Sequence, residues 1–436
     1  MTLQAPKGTR DFYPDDFARL NAIFDAWRRV SIRNGLAEID GPAFEMLELY
    51  TAKSGEEIVS QLFRVVDRGG RDLALRPELT PSLARMVNQR VSSLSLPIKW
   101  FAIPRLWRAE NVQRGRLREF FQWNVDIVGS AEPVADAECI FVAIDLLREL
   151  GLTAQDVVVK ISSRPLLAAV LVEQGVPADQ LNTLYTVIDK QAKMPAEKFR
   201  PMLVETLTKV GVAETDRVAD ELIAATGCCE LAKLPIRSEP AIQQRAALEK
   251  LFALLADFGV ADYCQFDLGV VRGLAYYTGP VFEIYDRKAE LRAIAGGGRY
   301  DNLLETLGGP AMPAVGFGMG DVVLSDLLET LGKLPTGRRR VDAFLIDAEE
   351  RFFPQVVRLA GQLRAAGISA VFGYRRSSVS RQFKQANQAS ARFVIVVGQE
   401  IETGQVTVKN LASGEQTLCA IEPLDSLVRQ LSADKS

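Results

Sequence analysis

The chain of 436 residues contains no histidine. That absence removes every catalytic arrangement built on imidazole: the Ser-His-Asp triad, the Cys-His dyad, a histidine general base and a histidine-ligated metal centre. Chemistry has to run on arginine, carboxylates and bound metal ions. Cysteine is scarce at 5, an odd number that includes the adjacent Cys228 and Cys229, and no Cys-x-x-Cys spacing occurs. Neither a disulfide framework nor a zinc site is indicated, and reduced thiols fit a cytoplasmic protein. No apolar stretch approaches the roughly 18 to 20 residues that span a bilayer, and the opening residues 1–7 lack a signal-peptide apolar core, so no membrane partner is expected. Charge of one sign is missing as well. Lys+Arg 52 against Asp+Glu 55 leaves a net charge of -3, which excludes a chain basic throughout and makes any nucleic-acid surface local.

What is present concentrates between Arg108 and Gly129. Arg108, Arg114, Arg116 and Arg118 surround Gly115, and the run that follows alternates by residue. Phe121, Trp123, Val125 and Ile127 fall on one strand face; Gln122, Asn124 and Asp126 fall on the other. A central strand seldom carries three polar groups on its second face without something to bind. The preceding 97–103 segment reads as a second strand, so the arginine-rich piece is a loop between strands, and the pattern points to an anionic ligand held above a small polar one.

Along the rest of the chain, helical spacing over Asp15–Arg33 follows the charged turn Lys7-Gly-Thr-Arg-Asp11, and a strand over Gly35–Glu45 is broken by Gly41-Pro42. A hairpin is expected over residues 61–76 around Arg68-Gly-Gly-Arg71. At its exit stand Glu78 and Thr80, read either as ligand contacts or, for Thr80, as the N-cap of a helix with Pro81 at its first position. Residues 165–260 are helical in period, with an inserted helical segment at about 165–240. Arg272, beside Gly273 and bulky β-formers, reads as a buried charge facing an anion. Ala295-Gly-Gly-Gly-Arg-Tyr-Asp301 has the look of a phosphate cradle or a tight bend. Residues 331–340 form a linker by composition. Beyond it, 341–436 reads as a separate α/β domain in which Tyr374, Arg375, Arg376, Arg381, Phe383 and Lys384 make a patch suited either to RNA or to a solvated face.

Several segments agree in order with one family: the chain resembles class II histidyl-tRNA synthetases along essentially its full length. Lys7–Asp11 and Gly35–Glu45 resemble the family's start and its motif 1, the dimer interface. Arg76-Pro-Glu78-Leu-Thr80 resembles a histidine-site signature, Arg108-Ala-Glu110 through Gln122 resembles motif 2, and Arg272-Gly-Leu-Ala-Tyr276-Tyr277 resembles the signature peculiar to histidine-specific members. Residues 341–436, with Gly414-Glu-Gln416, resemble the anticodon-binding domain. The resemblance implies an α+β fold. An antiparallel six-stranded sheet core carries the inserted helical segment within a catalytic domain 1–330, and a C-terminal α/β module follows. It implies a homodimer that activates histidine with ATP and Mg2+ and transfers it to tRNA(His). Carried over by position, Arg108 and Arg272 neutralise the α-phosphate; Glu110 and Arg116 hold ATP; and Phe120 stacks on adenine. Glu78 meets the substrate's ammonium. Thr80, Gln122 and Arg272 meet its carboxylate side, Asp126 with Tyr277 its imidazole, and Tyr276 belongs to the same histidine-binding set. No fixed metal ligands are expected. The chain departs from the family at motif 3, where Gly320 is followed by Asp321-Val-Val323 instead of ending in arginine, and in motif 2, which reads Glu110-Asn-Val-Gln113. An alternative of another class is a synthetase-like, non-catalytic histidine sensor that regulates ATP phosphoribosyltransferase; the C-terminal domain, Arg108 and Arg116 favour the enzyme.

Overall fold

The computed structural model describes residues 3–51, 59–191, 194–271, 277–288, 290–335, 341–375 and 377–432. Two compact units emerge, one built on residues 19–335 and the other on the segment after residue 335.

The larger unit is organised by a sheet whose middle is six antiparallel strands. In spatial order these are β5 (Ile98–Ala102), β7 (Glu119–Val128), β12 (Ala314–Gly320), β11 (Ala295–Arg299), β10 (Pro280–Asp286) and β8 (Val157–Ser163). Two short strands, β1 (Ala37–Glu38) and β9 (Cys264–Phe266), add in parallel at the edges, and β6 (Arg105–Trp107) pairs with the start of β7. The expected antiparallel core is therefore present.

The alternation read from β7 holds. Its apolar face enters a ladder of aromatic contacts: Phe121 lies 4.9 Å from Phe24, Trp123 stacks on Trp27 at 6.2 Å, and Phe317 meets Trp123 edge-on at 5.0 Å. Phe24 and Trp27 come from the first helix, Pro14–Arg33, whose buried residues recur at helical spacing. The Trp123 indole donates to Ser31 at 2.9 Å, so burial leaves it satisfied. The helix Pro133–Glu149 covers the same face and contributes Ile140, Ile144 and Leu147 to the core.

A separate sheet joins β2 (Phe44–Met46), β4 (Asp72–Leu75) and β3 (Arg64–Val66), all antiparallel. Asp67 closes the expected hairpin by accepting from the Gly69 and Arg71 amides at 2.8 and 2.9 Å. Between Arg164 and Asp257 run five α-helices of eight residues or more among the described residues, and they share the core of the main sheet.

The second unit holds β13 (Val341–Asp347), β14 (Ala370–Phe372), β15 (Ala391–Val397), β16 (Gln405–Asn410) and β17 (Gln416–Ala420), in the order β14-β13-β15-β16-β17. The first three are parallel and the last two antiparallel, and the helices Phe353–Ala365 and Val379–Gln388 form the crossovers that parallel pairing requires. β17 went unread in the sequence because its residues alternate between exposed and half-buried, which leaves a weak strand signal.

Candidate active site

The polar face of β7 and the loop before it line an open cleft of about 680 Å³, counted out into the solvent at its mouth. Arg108, Glu110, Arg116, Phe120 and Gln122 face it from motif 2; Ala295, Gly296, Gly318 and Gly320 form its floor; and Val322 and Val323 close one side. The floor is glycine for a steric reason. A methyl group on Gly318 would lie 2.6 Å from the Gln122 side chain, and one on Gly316 would lie 2.3 Å from Asp126 Oδ1. Bare backbone at these positions leaves the polar side chains of β7 room to stand.

This corrects the reading of residues 295–301. They are neither a phosphate cradle nor a tight bend but a buried central strand, β11, followed by Tyr300 and Asp301. Glycine permits a turn but also permits close strand packing, and local sequence does not distinguish the two. Arg299 takes no part in the cleft. Its guanidinium is held bidentately by Asp136, at 3.0 and 2.8 Å, and by Asp301 at 3.2 Å.

The loop is built as a pinned hairpin. Arg108 and Arg118 pair through the Arg108 amide at 2.9 Å, and the Gln113 and Arg116 backbones bond reciprocally around a tip whose Gly115 has φ +73°. Only glycine adopts that conformation cheaply. Arg108 donates to the Pro77 carbonyl at 3.0 Å, with its guanidinium over the Phe120 ring at 5.2 Å. Arg116 and Glu110 form an ion pair within the cleft. From below, the Gly8 carbonyl accepts from the Arg118 and Glu119 amides, and the buried Asp321 carboxylate accepts from Arg10 at 2.7 Å and from the Phe121 amide at 2.8 Å. Arg10 and Asp321 thus tie the N-terminal turn and the first residue of the helix Asp321–Thr330 to the foot of β7. Sequence reasoning noted Asp321 only as a departure, and the pairing spans too much chain to be read locally.

Further along the same face are Asn124 and Asp126, and they and Glu78, from the turn before the helix Thr80–Arg90, are each 5 % exposed or less. Asp126 Oδ1 accepts from the Tyr300 hydroxyl, while Asp126 Oδ2 and Asn124 Oδ1 are buried with no hydrogen-bond partner among the described residues. Burial pushes the Asp126 carboxyl up to about 7; the Tyr300 hydrogen bond opposes this and the nearby Glu78 charge adds to it. Tyr300 is a site residue that the sequence reading missed, its signal hidden in the supposed cradle.

Two residues before Glu78, the buried Arg76 guanidinium donates to Asp40 at 2.7 Å, to the Gly41 carbonyl at 2.6 Å and to the Arg105 carbonyl at 3.1 Å. The cap reading of Thr80 fails. Leu79 is the N-cap of the helix Thr80–Arg90, no side chain caps it, and Thr80 is its first residue with Pro81 next. Tyr277 is 7 % exposed and packs against the Gly298 position, where an added methyl would lie 2.9 Å from its ring. Arg272 and Tyr276 lie outside the described residues.

An antiparallel six-stranded sheet with an arginine-bearing loop over its polar centre, helices on the far face and an α/β module after it defines the catalytic architecture of a class II aminoacyl-tRNA synthetase. Comparison with known proteins narrows the class. The histidyl-tRNA synthetase family model matches residues 8–321 and an anticodon-binding-domain model matches 340–431. The chain is 42% identical over 421 residues to the chloroplastic/mitochondrial histidine–tRNA ligase of Arabidopsis thaliana, covering 96% of this chain and 85% of that one. It is 39% identical to the histidine–tRNA ligase of Opitutus terrae, covering 98% of each. A crystal structure of histidyl-tRNA synthetase from Nostoc shares the fold with a TM-score of 0.82 at 24% identity, covering 99% of both chains. The chain belongs to the histidyl-tRNA synthetase family.

Proposed function

We propose that this chain is a histidine–tRNA ligase that joins histidine to the AMP moiety of ATP in the cleft, with release of pyrophosphate, and passes the histidyl group to tRNA with release of AMP. The observation that carries the substrate is the pair of buried acceptors without a partner among the described residues, Asn124 Oδ1 and Asp126 Oδ2, with the Glu78 charge felt at Asp126. Orphaned acceptors at that depth call for a ligand rich in N–H donors, and histidine brings an imidazole N–H and an ammonium. A ligand lacking those donors leaves the acceptors unpaired, which is a strong basis for rejection.

In this assignment Glu78 receives the ammonium, Thr80, Gln122 and Arg272 the carboxylate side, and Asp126 with Tyr277 the ring, with Tyr276 in the same histidine-binding set. Arg108 and Arg272 face the α-phosphate, Glu110 and Arg116 hold ATP, and Phe120 supplies the adenine stack. The attacking group is already an anionic carboxylate, so no general base is required and the protein's task is positioning and charge stabilisation. A chain without histidine is fully equipped for that.

Among the described residues no cluster of three His, Cys, Asp or Glu side chains could hold a metal. Mg2+ fits here as an ion carried by the phosphates, with Glu110 the carboxylate lining the cleft. When bound it would neutralise phosphate charge. In the second unit, Tyr374 is 91 % exposed beside Arg375 and the exposed Arg381 and Lys384, a surface suited to tRNA bases and phosphates.

We further assign a homodimer, supported by the apolar side chains that the small sheet leaves exposed: Phe44 at 49 %, Met46 at 44 % and Val66 at 66 %. The free cysteines fit the reducing cytoplasm, and no described helix is long and apolar enough to cross a membrane. The catalytic domain is taken as 1–330, with the inserted helical segment at about 165–240, the linker as 331–340 and the anticodon-binding domain as 341–436.

The sensor alternative loses ground because the anticodon-binding domain is matched and the cleft retains Arg108, Glu110 and Arg116. Histidine-dependent ATP–pyrophosphate exchange decides between them, with Arg272→Ala as a control expected to abolish it. A wild-type protein that binds histidine but gives no exchange would be a sensor.

A further inference from the structure

The side of the cleft closed by Val322 and Val323 carries no charge of its own, yet an arginine from another element stands there. Around the tip of the motif 2 loop, the point where a Gly115 methyl would sit lies 3.1 Å from Val323 Cγ2 and 4.0 Å from Arg292 Cδ, so the two side chains flank one spot at the cleft's rim. Arg292 precedes Ala293 and Ile294, both of which line the cleft.

Its placement is fixed. The buried Asp286 carboxylate accepts from the Glu290 and Leu291 amides at 3.1 and 3.0 Å, and Ile294 donates to the Ile284 carbonyl at 2.8 Å, which clamps the connection between β10 and β11. The Arg292 guanidinium is exposed and donates to Gln113 Oε1 at 2.6 Å, and among the described residues it pairs with no carboxylate. Arg116, by contrast, is engaged by Glu110.

We propose that Arg292 is a polyphosphate-binding residue of the ATP site. It supplies, from the β10–β11 connection, the positive charge that Val323 does not, and it meets the outer phosphates of ATP and the departing pyrophosphate. A guanidinium held at a rim by one neutral partner can exchange that partner for phosphate oxygens at little cost, and its planar fork suits them. The assignment rests on the ligase reading of the cleft.

The test is ATP–pyrophosphate exchange on the full-length protein, comparing wild type with Arg292→Gln and Arg292→Lys. Glutamine keeps a hydrogen bond to Gln113 but removes the charge; lysine keeps the charge. Arg292→Gln should raise the KM for ATP and for pyrophosphate about tenfold, as expected for one lost charge-assisted contact. It should leave the histidine KM in place, while Arg292→Lys stays within about threefold of wild type. The inference is overturned if Arg292→Gln has the wild-type ATP KM, if both variants are equally impaired, or if the histidine KM rises in parallel. If wild type itself gives no exchange, the ligase reading fails instead. Calorimetric titration with ATP then still decides the role of Arg292, since an unchanged Kd in Arg292→Gln would remove it from the nucleotide site.

Discussion

Asp126 concentrates the conflict between stability and function in one side chain. Its carboxyl is pushed from the usual 3.8 up to about 7, chiefly by burial, so the folded protein binds this proton more tightly than the unfolded chain between those values. With more protons on the folded state, the contribution of this group to stability falls as pH rises through that window. Asp126→Asn removes the penalty. The ligand-free melting temperature at pH 8 should rise by roughly 2–4 °C, a gain that shrinks towards pH 5, while the histidine KM rises about tenfold or more. Calorimetry at the two pH values together with steady-state kinetics checks this; an equal melting shift at both would show that the effect is not titration. The identity of Asp126 as a polar-face residue was legible from the two-residue period of β7. Its burial and its Tyr300 partner were not, because Tyr300 stands 174 positions away.

At the scale of elements, the glycines of β11 and β12 are packing decisions. Gly316 pairs opposite Asp126 in the antiparallel register, and a methyl group there would also lie 2.7 Å from the Val125 carbonyl. Neither backbone nor the buried carboxylate can yield far, so Gly316→Ala should displace Asp126. We expect the histidine KM to rise about tenfold or more and the melting temperature to fall by several degrees, with the ATP KM much less affected. A variant with normal histidine affinity would show that Asp126 moves freely or does not meet histidine. The run Gly296–Gly298 of β11 was read as a cradle or tight bend because glycine carries no strand preference of its own, whereas the glycine-rich strand read over Ala314–Gly320 is present as β12. Thr80 misled for a related reason: a threonine before a proline resembles a cap, and only the backbone geometry placed the helix start one residue earlier.

For the whole molecule, the prediction concerns the partner. Phe44 lies on the edge strand β2 of the small sheet, opposite Leu75 and half exposed, and Phe44→Asp should convert the proposed dimer to monomer in sedimentation velocity, since a buried unpaired charge is costly at an interface. A wild type that sediments as a monomer at micromolar concentration would remove the dimer assignment.

The sequence by itself determined the periodicities: the aromatic face of β7, the first helix, the hairpin over residues 61–76, and the β-α-β order after residue 341. These are local properties, set by which side chains alternate and which residues turn. Motif order also made the family legible, since short segments in fixed succession survive without any knowledge of contacts. Only the tertiary structure decided what distant residues do to one another. It spent Arg299 on Asp136, tied Arg10 to Asp321, stripped Asp126 of water beside Glu78, and set Arg292 and Val323 around the Gly115 tip. The physical reason is that charge, desolvation and steric clearance depend on separation in space, and chain order does not specify it.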